Sequence, residues 1–87
     1  MHPDRTKSLQ EKLEQYHAWP DLFIFKFIVP KGKETEVAHL FPNHTPTQRI
    51  SKNGNYISIT VQMMMPSSDA VIAVYLAASK VEGIIAL

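Results

Sequence analysis

Apolar and polar residues alternate strictly along Tyr56–Met64: Ile57, Ile59, Val61 and Met63 take one parity, Tyr56, Ser58, Thr60 and Gln62 the other. A period of two marks a strand with one face buried and one face wet. Leu22–Val29, LFIFKFIV, is denser in aromatic and β-branched residues and reads as a central strand. Its parity sets Phe23, Phe25, Phe27 and Val29 against Leu22, Ile24, Lys26 and Ile28. Lys26 marks the wetter side, which assigns the phenylalanines to the core.

Three stretches follow helical spacing instead. Ser8-Leu9-Gln10-Glu11 has capping-box order, and a helix from there to about His17 gathers Leu9, Leu13 and Tyr16 or His17 on one side. Trp19-Pro20 ends it, because proline disfavours helix in the residue before it. Val37, Leu40 and Phe41 predict a second helix over Lys33–Phe41, with Glu34 and Glu36 in its first turn and Pro42-Asn43 at its end. Ser67-Ser68-Asp69 caps a third, Ala70–Lys80, which buries Val71, Val74, Tyr75 and Ala78 and stops before Gly83. A brief edge strand over Thr47–Ser51, a tight turn at Asn53-Gly54 and a last strand over Ile84–Leu87 complete the chain.

The predicted order from Trp19 on is strand, helix, strand, strand, helix, strand. This is an α+β chain with the ferredoxin-like βαββαβ arrangement: a four-stranded antiparallel sheet with two helices on one face. Residues 19–87 form that domain, and residues 1–18 are an N-terminal helical extension. The first and third strands lie in the middle, and the second sheet face is open. A large bare apolar patch is uncommon on a soluble monomer. Either the N-terminal helix covers this face, through Leu9, Leu13, Tyr16 and Trp19, or another protein surface does.

Composition narrows the possible uses. Eighty-seven residues allow a single core, and 45% hydrophobic with 20% charged residues fits a globular chain. The absence of cysteine removes disulfides, thiol catalysis and thiolate metal sites. The longest apolar run, Ala70–Ala78, is half of a membrane span, and Asp4, Glu11 and Glu14 interrupt any leader-like start, so a cytoplasmic protein is expected. Residues 1–45 carry six basic and six acidic side chains and residues 46–87 three and two, for a net charge of +1. No block of one sign steers the chain toward nucleic acid or an anionic membrane.

With the hairpin located, a family likeness emerges. Ser51-Lys52-Asn53-Gly54-Asn55-Tyr56-Ile57-Ser58-Ile59 resembles the S-x-x-G-x-Y-x-S-V signature of the YbeD-like family of small uncharacterised bacterial proteins. Trp19-Pro20 with Phe25-Lys26-Phe27-Ile28 resembles that family's opening strand, and Val71-x-x-Val74-Tyr75 and Ile84-Ile85-Ala86-Leu87 its last helix and ending. The resemblance covers about residues 19–87. It implies an ACT-like fold, similar to the domains that bind amino-acid effectors in metabolic enzymes. One position departs: where the family has glycine after the first strand, this chain has Val29-Pro30, and proline lacks the amide an effector contact would use.

The chemical motifs are sparse. Lys52-x-Gly54-x-Tyr56 echoes the start of an RNA-recognition motif, but Ser58 stands where a second stacking aromatic is needed, and the phenylalanines have the wrong parity. His2, His17, His39 and His44 have no shared helical spacing, so no metal site is expected. No nucleophile elbow or phosphate loop occurs, and Glu34 and Glu36 diverge on a helix, so no catalytic residue and no cofactor are assigned. The expectation is a non-enzymatic regulatory or protein-interaction module acting through its open sheet face. The expected surface comprises Ile24, Lys26, Tyr56, Ser58 and Thr60, with Lys52 and Asn55 at the hairpin. A protein partner is expected. The alternative is a small-metabolite effector bound at a homodimer interface.

Overall fold

The computed structural model describes residues 3–87, with side chains from Lys7 onward. In chain order the elements are α1 (Pro3–Tyr16), β1 (Asp21–Pro30), α2 (Glu34–Ala38), β2 (Thr47–Ile50), β3 (Tyr56–Met65), α3 (Ser68–Ala78) and β4 (Ile85–Ala86). The sheet is antiparallel with strand order β2-β3-β1-β4, which is the ferredoxin-like order with the first and third strands central. β1 and β3 stay in register for ten pairs, from Asp21 opposite Met65 to Pro30 opposite Tyr56.

The parity of the two long strands decides the layering. Phe25, Phe27 and Val29 are fully buried, and Ile57, Ile59 and Val61 from β3 join them. Their rings form a continuous aromatic contact: Phe25 lies 5.6 Å from Phe41 and 5.4 Å from Tyr75, between ring centres. Edge-on and tilted pairs at this distance add about 0.5–1.5 kcal/mol each beyond their area. The core therefore lies between the phenylalanine face and the helices.

Local details depart from the sequence pattern for physical reasons. α1 starts at Pro3, not at Ser8. Proline's fixed φ and missing amide suit a first helical position, which leaves Ser8 and Glu11 inside the helix, where no capping box can form. α2 is only five residues long; Leu40 and Phe41 follow it in tight i→i−3 turns that bring Phe41 into the core. At the hairpin only Gly54 is left-handed, with φ +74°, and its amide donates to Ser51 O at 2.9 Å. The loop is thus Lys52–Asn55 instead of a two-residue Asn-Gly turn, although the register is the one a turn centred on Asn53-Gly54 dictates.

The cap of α3 forms as the sequence indicates: Ser67 Oγ accepts from Ala70 N at 3.1 Å. The buried stripe is shifted: Ile72 joins Val71 and Ala78 in the core, while Val74 and Tyr75 are half-buried against it. α1 accounts for this. It packs against α3, with Leu13 in the buried cluster and Leu9 and Trp19 against it. Gln10 Nε2 donates to Asp69 Oδ1 at 2.5 Å, and Ser68 Oγ, almost fully buried, donates to Glu14 Oε1. α1 therefore belongs to the helical layer and does not cover the open face. Tyr16, one of the residues expected to cover it, is 75% exposed.

Candidate functional site

The open face is built from four strands. β1 contributes Leu22, Ile24, Lys26 and Ile28, and β3 contributes Tyr56, Ser58, Thr60, Gln62 and Met64. Register carries the pattern outward. Thr47 and Arg49 of β2 lie opposite Thr60 and Ser58, and Ile85 of β4 lies opposite Ile28. Leu87 follows β4 and its amide donates to Lys26 O at 2.9 Å, which sets it beside Lys26. Two rows cross the middle: Lys26, Thr60 and Thr47 in one, and Ile85, Ile28, Ser58 and Arg49 in the next.

Of the residues singled out from the sequence, Ile24, Lys26, Tyr56, Ser58 and Thr60 share this face. Ile24 is 49% and Tyr56 48% exposed, and Ser58 and Thr60 are partly covered by their neighbours. Lys52 and Asn55 lie in the exposed hairpin loop. Lys52 is brought to the face: with Ile28, Arg49, Tyr56 and Ser58 it borders an open depression of about 440 Å³. Asn55 is held at the strand end instead, where its carbonyl accepts from Lys31 N at 3.0 Å. The hairpin is tied down by Ser51 Oγ, which accepts from Tyr56 N at 3.1 Å.

Sequence reasoning missed Arg49 and Thr47. A second depression, about 310 Å³, is bordered by Lys26, Thr47, Arg49, Ser58, Thr60 and Leu87, so two cations from strands that are not neighbours flank one groove. The signal for Arg49 was present: counting back from the hairpin pairs Arg49 with Ser58, which already had the outward parity.

Charge is segregated by face. Among the described side chains no acidic residue lies on the open face: Glu11 and Glu14 are in α1, Glu34 and Glu36 in α2, and the others are Asp21, Asp69 and Glu82. Asp21 turns to the helical side, where its Oδ2 lies 2.7 Å from His17 Nδ1 and its Oδ1 accepts from Leu22 N at 2.9 Å. The His17 hydrogen bond first, and then the Leu22 amide, hold the Asp21 carboxyl below its ordinary value of 3.8. Among the described residues the acid–base contacts are His17–Asp21 and Lys33–Glu36, and neither Lys26 nor Arg49 has a carboxylate partner there. A net charge of +1 thus conceals a cationic sheet face behind an acid-bearing helical layer.

The remaining features of the molecule offer less chemistry. A third cavity, about 410 Å³, lies under β4 and is mostly apolar, lined by Phe27, Tyr75, Val81 and Ile84 among others. Burial raises the Tyr75 hydroxyl above its ordinary 10.0. His17 stacks on Trp19 with ring centres 5.0 Å apart, and the Trp19 Nε1 hydrogen is buried without a partner among the described residues. His39 and His44 are exposed, and His2 lies outside the described residues. Among the described residues no three His, Asp or Glu side chains stand close enough to share a metal ion, and no helix is long and apolar enough to cross a membrane.

Comparison with known proteins adds a family but no activity. The sequence profile of a family described as "Protein of unknown function (DUF493)" matches residues 14–87. The chain is 27% identical over 84 residues to a UPF0250 protein of Shewanella amazonensis, an alignment that covers 87% of this chain and 94% of that one. No solved structure matches the chain significantly. The family match spans the strands and the hairpin on which the YbeD-like resemblance rests.

Proposed function

The chain belongs to the family of proteins of unknown function denoted DUF493, and we propose that it is a cytoplasmic, non-enzymatic, ACT-like recognition module that meets its partner with the open face of its sheet. One observation carries this reading. Lys26, Arg49, Ser58 and Thr60 sit beside exposed Ile24 and Tyr56 on a face that none of the described elements covers. A mixed apolar and polar surface of this kind is what the rim and centre of a partner interface require.

The test is capture from native lysate with matched variants. Lys26→Glu combined with Tyr56→Ala removes a charge and an aromatic from the open face, and Lys80→Glu alters the helical layer as a control. The open-face variant should lose captured protein and the control should keep it, with all melting temperatures equal. Capture that survives the open-face changes refutes the assignment.

The exposed apolar residues Leu22, Ile24 and Ile85 favour one second reading, in which two copies of the chain bury these faces and hold a small metabolite between them. That reading requires a dimer by light scattering and a ligand-dependent stabilisation, about 2.7 kcal/mol at a hundredfold excess over Kd. A monomer that no metabolite stabilises excludes it.

A further inference from the structure

We infer that the occupant of the open face is an acidic segment of another protein, an extended stretch in which carboxylates alternate with branched apolar side chains. This inference rests on the proposed recognition role and adds the chemistry of the partner. Its basis is charge complementarity. The face carries Lys26, Arg49 and, at its hairpin end, Lys52, all exposed, while the described Asp and Glu side chains lie elsewhere. Two exposed cations that border one groove without a carboxylate partner among the described residues favour an occupant that supplies negative charge.

The spacing of the cations separates a peptide from other anions. Lys26 and Arg49 stand two strands and one register row apart, which places their Cα atoms roughly 12 Å from one another at standard sheet spacings. Ser58 and Thr60 lie between them and supply hydroxyl donors along the same groove. A carboxylate above these hydroxyls is within reach of both long cationic side chains. Apolar residues of β1 and β4 extend these rows: Ile28 and Ile85 in the row of Ser58 and Arg49, and Ile24 and Leu22 on β1 beyond Lys26. Branched side chains flanking the acidic residue pack onto these rows, an arrangement a free phosphate cannot use.

Nucleic acid fits less well. Base stacking needs aromatic platforms, and Tyr56 is the sole aromatic on the face among the described residues. Three cations also make a weak phosphate track beside the longer basic patches of nucleic-acid readers.

The experiment is an amide-resonance titration of the full-length protein with a short peptide alternating leucine and glutamate. Companion titrations use peptides with glutamine or lysine in place of glutamate, and oligouridylate. The acidic peptide should shift the amides of Lys26, Arg49, Ser58 and Thr60. Its affinity should fall as salt rises from about 0.05 to 0.3 M, where the screening length shortens. Lys26→Glu and Arg49→Glu should each weaken it by about tenfold or more. Equal shifts from the glutamine peptide overturn the acidic assignment and leave the open-face role standing. Shifts confined to α1 and α3 sink both readings. No shift at millimolar peptide, tighter binding of oligouridylate, or shifts that follow protein concentration alone each overturn the inference, the last in favour of a second copy of the chain.

Discussion

Replacing Gly83 by alanine tests how the edge of the recognition face is positioned. Gly83 has φ +78° in the turn before β4, and a Cβ there would lie 2.7 Å from Pro30 Cγ and 3.1 Å from Pro30 Cδ. Gly54 is its natural control: φ +74°, with nothing within 4 Å of the added carbon. Alanine at Gly54 therefore meets only the left-handed backbone cost, about 1 kcal/mol. At Gly83 the same cost is joined by overpacking against a closed ring, typically about 1–3 kcal/mol, for a sum of roughly 2–4 kcal/mol. That is a large share of the stability of a domain this small, on the order of 4–13 kcal/mol.

Urea unfolding followed by the fluorescence of the single tryptophan, Trp19, measures both costs. The clash resides in the proline ring, so Pro30→Ala removes the offending atoms, and Gly83→Ala in that background should cost only about 1 kcal/mol. Equal destabilisation by the two glycine substitutions, or an undiminished Gly83 cost without the ring, refutes the argument. The site matters for function because this turn delivers Ile85 and Leu87 to positions beside Ile28 and Lys26.

Other expectations follow from the helical layer and from the sheet. Leu13→Ala opens a cavity where α1 meets the core and should cost about 2–4 kcal/mol in urea, whereas Tyr16→Ala, fully on the surface, should cost under about 0.5 kcal/mol. The Asp21 carboxyl is held low in the folded state, so its contribution is present above its ordinary value of 3.8 and fades as pH falls through the lower folded-state value. Asp21→Asn should accordingly flatten the acid limb of a stability-against-pH curve and leave the neutral limb parallel; an unchanged acid limb contradicts the His17 pairing. Lys26→Glu and Arg49→Glu remove no ion pair found among the described residues and should change stability by no more than about 0.5 kcal/mol, the range of surface changes.

Much of this architecture could be read from periodicity. The parity of β1 and β3 identified the buried phenylalanine face, and the hairpin position set the β2–β3 register. Both are local consequences of a two-residue repeat. The placement of α1 was not legible. A stripe of Leu9, Leu13 and Tyr16 can pack on either side of a sheet, and the choice is made by contacts to Ser68 and Asp69, more than fifty residues away in sequence.

The recognition face was legible only in part for a related reason. Counting charges along the two halves of the chain shows near balance, while combining strand parity with strand order shows that the described acids leave the open face altogether. Arg49 illustrates the point: as one basic residue in a brief edge strand it carries no signal, and opposite Ser58 it completes a groove with Lys26.

The most direct test of the recognition face is site-specific photo-crosslinking in living cells. A benzophenone side chain is introduced at Ile24 in the middle of the open face, or at Leu76 on the exposed side of α3. The account predicts a discrete protein adduct from the Ile24 position and none from the Leu76 position. Adducts from Leu76 alone would contradict it.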